Sequence, residues 1–515
     1  MTRRHTMTAH TRSVRWLALL LALLLALAVL TALAGPAMAQ DKKMTDQQIA
    51  DAIENEFLFD RAVPANEIDV SVSDGVVALT GSVGNILAKD RASRLAETVR
   101  GVRSVVNRLS VAPASQRAAA VLKRDVKTAL LTDAATESYE VDVEADEEGK
   151  IVLTGTVDSW TEKQLAGKVA KGVKGVTALS NKINVEYKQD RPDGEIAAEV
   201  RKALRWDTLV DHGLITVAVS DGEVTLSGVV GSAAEKRRAA YDAWVSGVEA
   251  VNDEGLDVQR WARDEDLRKD KYQVKSADEI KSAINDALLY DPRVLSFNVK
   301  ADVAGSTVTL RGEVDNLRAK QAAAQVARHT VGVTAVTNRI KVRPAEDIED
   351  ARVAESVSEA LLRDPYVDRF DITVTVINGT AYLNGTVDSY FEKSRAHDIA
   401  SGVGGVTEVR NALNVDYPGP LAYDPYVYDD YVYGYDWYDY TPTYTFETDA
   451  EIRDDIQSEL WWSPFVDSDE VTVTVEDGVA TLTGTVESWS ERTSALENAY
   501  EGGAVWVDNN LTVAD

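Results

Sequence analysis

A chain of 515 residues with 84 acidic and 55 basic side chains carries a formal charge of -29. Such a surface repels phosphate backbones, which speaks against a general nucleic-acid binder. There is no cysteine, which excludes a disulfide framework, a thiolate nucleophile, a Cys-ligated zinc site and a lipid-modified Cys.

The chain opens with Arg3, Arg4, Arg12 and Arg15, an apolar run from Trp16 to Ala34, then Gly35, Pro36 and Ala37-Met38-Ala39. That order is a secretory signal, with cleavage expected after Ala39. The run is also long enough to remain as an uncleaved anchor. Either way the expectation is an exported protein, periplasmic or held at a membrane.

Beyond the signal one pattern returns six times. Leu-x-Gly-x-Val is centred on Gly81, Gly155, Gly228, Gly312, Gly385 and Gly484. Before four of these stand Asp74-Gly75, Asp221-Gly222, Asn378-Gly379 and Asp477-Gly478, tight-turn pairs that predict a hairpin. The flanking segments alternate apolar and polar, as in Ile68/Val70/Val72. A second glycine follows each motif (Gly101, Gly175, Gly247, Gly332, Gly405, Gly503), and then an Asn (Asn107, Asn181, Asn252, Asn338, Asn411, Asn509). The stretch between the glycines fits a helix, opened in four copies by a capping box: Ser159/Glu162, Ser232/Glu235, Ser389/Glu392 and Ser488/Glu491. A third strand comes after the second glycine, and each copy starts with an amphipathic helix such as Ile49/Ile53/Phe57.

The predicted class is therefore α+β: six tandem αββαβ modules, each a three-stranded sheet with two helices on one face. The motif glycines read as structural, letting a helix approach the sheet closely. Boundaries fall at 1–39 for the signal, 44–112, 115–187 and 192–259 for the first three modules, and 260–275 for a charged linker. Modules four and five take 276–343 and 345–417, a Tyr/Asp-rich linker takes 418–446, and module six takes 447–515. Units of this size are marginal alone, so neighbours should pack on one another.

The glycine pair, the trailing Asn and this order of elements resemble the BON domain family, over nearly all of the chain after the signal. The resemblance implies an envelope location, association with membrane phospholipid or envelope proteins, and a part in osmotic or envelope stress. It brings no catalytic residues and no cofactor. Some members act as secretion chaperones, which gives the alternative of a periplasmic protein that holds secreted clients.

The residues themselves argue against catalysis. His212, His329 and His397 fall in three different modules, and no phosphate-binding or zinc-protease motif occurs. The acidic run Glu144-Ala145-Asp146-Glu147-Glu148 lacks the ligand spacing of a calcium loop and reads as a solvated turn, so no metal site is expected. Charge is uneven: residues 276–342 hold nine basic and seven acidic side chains, whereas 448–515 hold two and sixteen. A lipid contact is therefore expected on module four, with Arg318, Lys320 and Arg328 of its second helix as the candidates. Module one, with Lys89, Arg91, Arg94, Arg100 and Arg103, comes next. Trp160, Tyr390 and Trp489 follow the helix caps as expected core anchors. Homo-oligomers are compatible with the pattern, and a nucleic-acid partner is not.

Overall fold

The computed structural model describes residues 44–514 apart from 61, 137–138, 188–190, 264–274, 292, 295–297, 368–371, 417–447, 464, 477, 488 and 505. The expected signal, most of the charged linker and the Tyr/Asp-rich segment lie outside the described residues.

Module one shows the plan. A helix at Asp46–Phe59 leads to an antiparallel hairpin of Ile68–Ser73 and Val76–Val83, then to a helix at Ile86–Thr98. A last extended segment, Ser104–Asn107 with Ser110–Val111, pairs parallel to Val76–Val83, so that strand is central. The same order recurs with first helices Ala119–Thr132, Asp193–Trp206, Ala277–Tyr290, Asp350–Arg363 and Asp449–Trp462. The second helices are Trp160–Lys171, Ala233–Asp242, Leu317–Arg328, Tyr390–Ser401 and Trp489–Glu501. Alternation along the strands turns Val77, Leu79 and Val83 inward against Ile49, Ile53, Phe57 and Ala92, and leaves the other face outward.

The repeated polar residues act as fasteners. Asp74 and Gly75 take left-handed conformations, as the tight turn demands. Their amides donate to the Asp46 carboxylate at the start of the first helix, 2.9 and 3.0 Å away. Asp193, Asp350 and Asp449 repeat the clasp. Asn107 donates to the Lys89 carbonyl of the second helix and accepts from the Leu109 amide, tying helix to strand. Asn181, Asn338, Asn411 and Asn509 do likewise.

Two local expectations are corrected. The motif glycines make a close approach, but to the backbone that leads into the first strand of the hairpin and not to one of the two packed helices. Gly81 has φ +119°, and a Cβ there would overlap the backbone carbonyl of Glu67 where the hairpin partner begins. Gly155, Gly228, Gly312 and Gly484 meet Glu140, Leu214, Asn298 and Glu470 in the same way. The caps at Ser159, Ser232 and Ser389 are half boxes. Ser159 accepts from the Glu162 amide, but the Glu162 carboxylate returns to the amide of Asp158, one residue before the cap. Reciprocal boxes occur instead on first helices, at Ser276/Glu279 and Thr448/Glu451.

Modules dock on one another. Ile86 of module one is buried in the core of module two, and Leu317 of module four in the core of module five. Trp160 is half-buried and stacks on Trp244 of module three, centroids 4.6 Å apart and planes 6° from parallel, with Tyr241 edge-on. It is an anchor between modules and not within one. The side chains of Tyr390 and Trp489 are outside the described set.

Candidate functional site

The expected lipid-binding helix of module four faces inward. Ala319, Ala322, Ala323, Ala324 and Ala327 are all buried, so the helix is covered on more than one side. Arg318 is carried in with them and lies 3.4 Å from Asp133 of module two. This removes Arg318 from any outward surface, while Lys320 and Arg328 are half-buried.

Module one behaves alike. Arg91 is buried and bonded to Asp60, 2.6 Å from Nε to Oδ2, with its guanidinium 4.9 Å from the Phe391 ring centroid of module five. Lys89 donates to the Leu109 carbonyl, Arg100 lies over Trp461 of module six, and Arg103 reaches Asp257 of module three at 3.0 Å. Of the charges expected at a headgroup, Arg318, Arg91, Arg100 and Arg103 reach into other modules.

Between modules two, four and five lies a partly open pocket of about 80 Å³ lined in part by Asp133, Lys168, Arg318, Arg363, Asp364 and Arg395. Burial raises the Asp133 carboxyl above its usual range, opposed by the Arg318 charge. The three histidines stay in separate modules. Among the described residues no group of three or more His, Cys, Asp or Glu could hold a metal ion, and no helix is long and apolar enough to cross a membrane. Asp146 closes its hairpin by accepting from the Lys150 amide at 2.8 Å.

The outward cations of module four lie on its sheet. Lys300 stands directly opposite Arg311 in the register, and Arg339, Lys341 and Arg343 continue outward along the neighbouring strand, all exposed. Arg339 is next to Arg311 because its amide donates to the Leu310 carbonyl. Two carboxylates share the face: Asp302, 3.5 Å from Arg311 and 3.6 Å from Lys281, and Glu313, 2.8 Å from Arg343. A directly opposed like-charge pair costs stability, offset here in part by Asp302 beside Arg311. Sequence reasoning found the basic module but placed its charge on the wrong element. The signal was available, since Lys300, Arg311, Arg339, Lys341 and Arg343 alternate with inward residues at the period of a strand.

The fold and its fasteners define a class: a tandem array of αββαβ modules whose repeated polar residues hold helices, turns and strands together. The BON domain profile matches residues 45–113, 118–187, 192–260, 276–344, 349–417 and 448–515. The chain belongs to the BON domain family. Osmotically-inducible protein Y of Escherichia coli (strain K12) is 30% identical over 140 residues, covering 26% of this chain and 70% of the relative. Outer membrane lipoprotein DolP of Haemophilus influenzae is 32% identical over 149 residues, covering 27% and 76%. Among solved structures, CdsD, a structural protein of the type III secretion system of Chlamydia trachomatis, aligns at 16% identity over 40% of this chain and 90% of that one, with a TM-score of 0.12.

Proposed function

We propose that this is an exported, non-catalytic binding and scaffold protein of the cell envelope that meets anionic surfaces through the outward sheet face of module four. Two relatives point the same way by name, one as osmotically inducible and one as an outer membrane lipoprotein. The observation that carries the reading is the exposed row Lys300, Arg311 and Arg339 on a chain of charge -29. Each cation close to an anionic surface contributes ~1 kcal/mol, and screening within about 10 Å at 0.1 M salt keeps the acidic remainder from cancelling a flat contact. Phospholipid headgroups are the proposed ligand, and protection under osmotic stress the proposed setting.

Co-sedimentation with vesicles tests this. The full chain is expected to pellet with anionic but not zwitterionic vesicles, and to be released by salt. Lys300→Glu, Arg311→Glu and Arg339→Glu together should abolish pelleting, and pelleting unchanged by all three would overturn the site. A second reading, client holding, is favoured by leucines at one repeated first-helix position: Leu58, Leu131, Leu289 and Leu362 are 61%, 55%, 47% and 43% exposed. Suppression of client aggregation that survives the triple charge reversal but not Leu→Ser changes at these four sites would select it.

A further inference from the structure

Modules one to three and modules four to six repeat one design. The second helices of modules one and four are capped by Asn85 and Asn316, and each cap is followed by an apolar residue, Ile86 or Leu317, that enters the core of the next module. The contacts between the triplets are reciprocal. In module two, Thr132 at the end of the first helix accepts from the Gly404 amide beyond the second helix of module five. The equivalent residue of module five, Arg363, accepts from the equivalent amide of module two, Lys174, at 2.6 Å. Trp206 of module three accepts from Val331 of module four, and the matching Trp462 of module six accepts from Arg100 of module one, at 3.0 and 3.1 Å. A contact in which i meets j and the equivalent of j meets the equivalent of i is the signature of a two-fold dimer interface.

The two halves are not identical partners. Ala134 and Thr208 also donate across the interface, to the Gly402 and His329 carbonyls at 2.9 and 3.0 Å. The corresponding positions in the second half are Pro365 and Pro464, and proline has no N–H to give. Further cross-half contacts are Arg318 with Asp133, Lys202 with Asp286, and the Tyr366 hydroxyl donating to the Ala62 carbonyl at 3.4 Å.

We infer that residues 46–263 and 276–514 are the two halves of a fused dimer, each presenting a docking surface whose partner is the other half, so that the covalent link between them is dispensable for assembly.

The test uses the full chain with a site-specific protease sequence inserted within 264–274. After complete cutting, verified on a denaturing gel, the fragments are expected to co-elute at the mass of the uncut protein with unchanged helical circular dichroism. Elution as two half-mass species would overturn the inference. Gly402→Val probes the surface itself. Gly402 has an ordinary helical φ of -82°, and the three nearest atoms to an added Cβ all belong to the Arg318 guanidinium of module four. Gly194→Val, where no atom lies within 4 Å, is the control. The cut Gly402 variant should dissociate at a concentration about tenfold or more above wild type while the uncut variant keeps its circular dichroism, and the control should match wild type. Cut Gly402→Val halves that hold as tightly as wild type would refute the surface.

Discussion

Replacing Gly484 by Ala adds one methyl group, and the geometry sets its cost. The residue has φ +141°, a region where side chains other than hydrogen cost about 1–3 kcal/mol. The new Cβ would also lie far inside contact distance of the Glu470 carbonyl oxygen, a backbone atom that cannot swing away as a side chain would. Relief requires Val471 and Gly484, which are paired in register, to part at the open end of the hairpin. The total is then about 3 kcal/mol or more, whereas a module of about 70 residues holds roughly 3.5–10 kcal/mol. Hydrogen exchange by mass spectrometry should show lost protection in Val471–Val486 with modules one to five unchanged. Gly305→Ala is the comparison: φ is +60°, no atom lies within 4 Å of the added carbon, and the cost should be about 1 kcal/mol. Equal protection of the Gly484 variant and wild type, or a larger loss from Gly305→Ala, would refute the steric account.

Arg395→Met removes the guanidinium that bonds buried Asp364 at 2.7 and 2.9 Å, and should cost about 3–5 kcal/mol by thermal melting, of which Asp364→Asn in the same chain restores part. Tyr187 donates to the Val248 carbonyl of module three at 2.7 Å, and burial, then Glu249, push its hydroxyl up to about 12. That raised value means the stabilisation is complete below pH ~10 and is lost as pH rises through about 12, so Tyr187→Phe should cost about 1 kcal/mol at pH ~9 by urea unfolding and should lack the alkaline loss. Trp160→Ala should weaken docking of modules two and three by about 0.5–1.5 kcal/mol beyond lost area, read from tryptophan fluorescence during urea unfolding.

What was legible in the sequence follows from the range of the interaction. Helix and strand periods, turn pairs and stop glycines are decided within a few residues, and sixfold recurrence separates them from chance. The clasp from Asp46 to Asp74 and Gly75 spans a module, and its signal is weaker: an acid at the start of a helix reads first as a dipole partner. The motif glycine was visible as a site of close approach, but which backbone approaches depends on hairpin register, fixed only once Gly81 pairs with Ile68.

Arg318 shows where local reading ends. Its type and its place on a helix are given by the sequence, but its direction is set by modules two and five, which close over a face that solvent would cover in an isolated module. The alanines around it are the trace of that closure, because a helix packed on two sides needs small residues on both. A contact made twice around a two-fold can hold with a donor in one half only, as Ala134 and Thr208 donate where Pro365 and Pro464 have no N–H. Small modules with marginal cores gain their missing burial in this way from one another, leaving the outward sheet faces free to differ, and it is on such a face that module four gathers its positive charge.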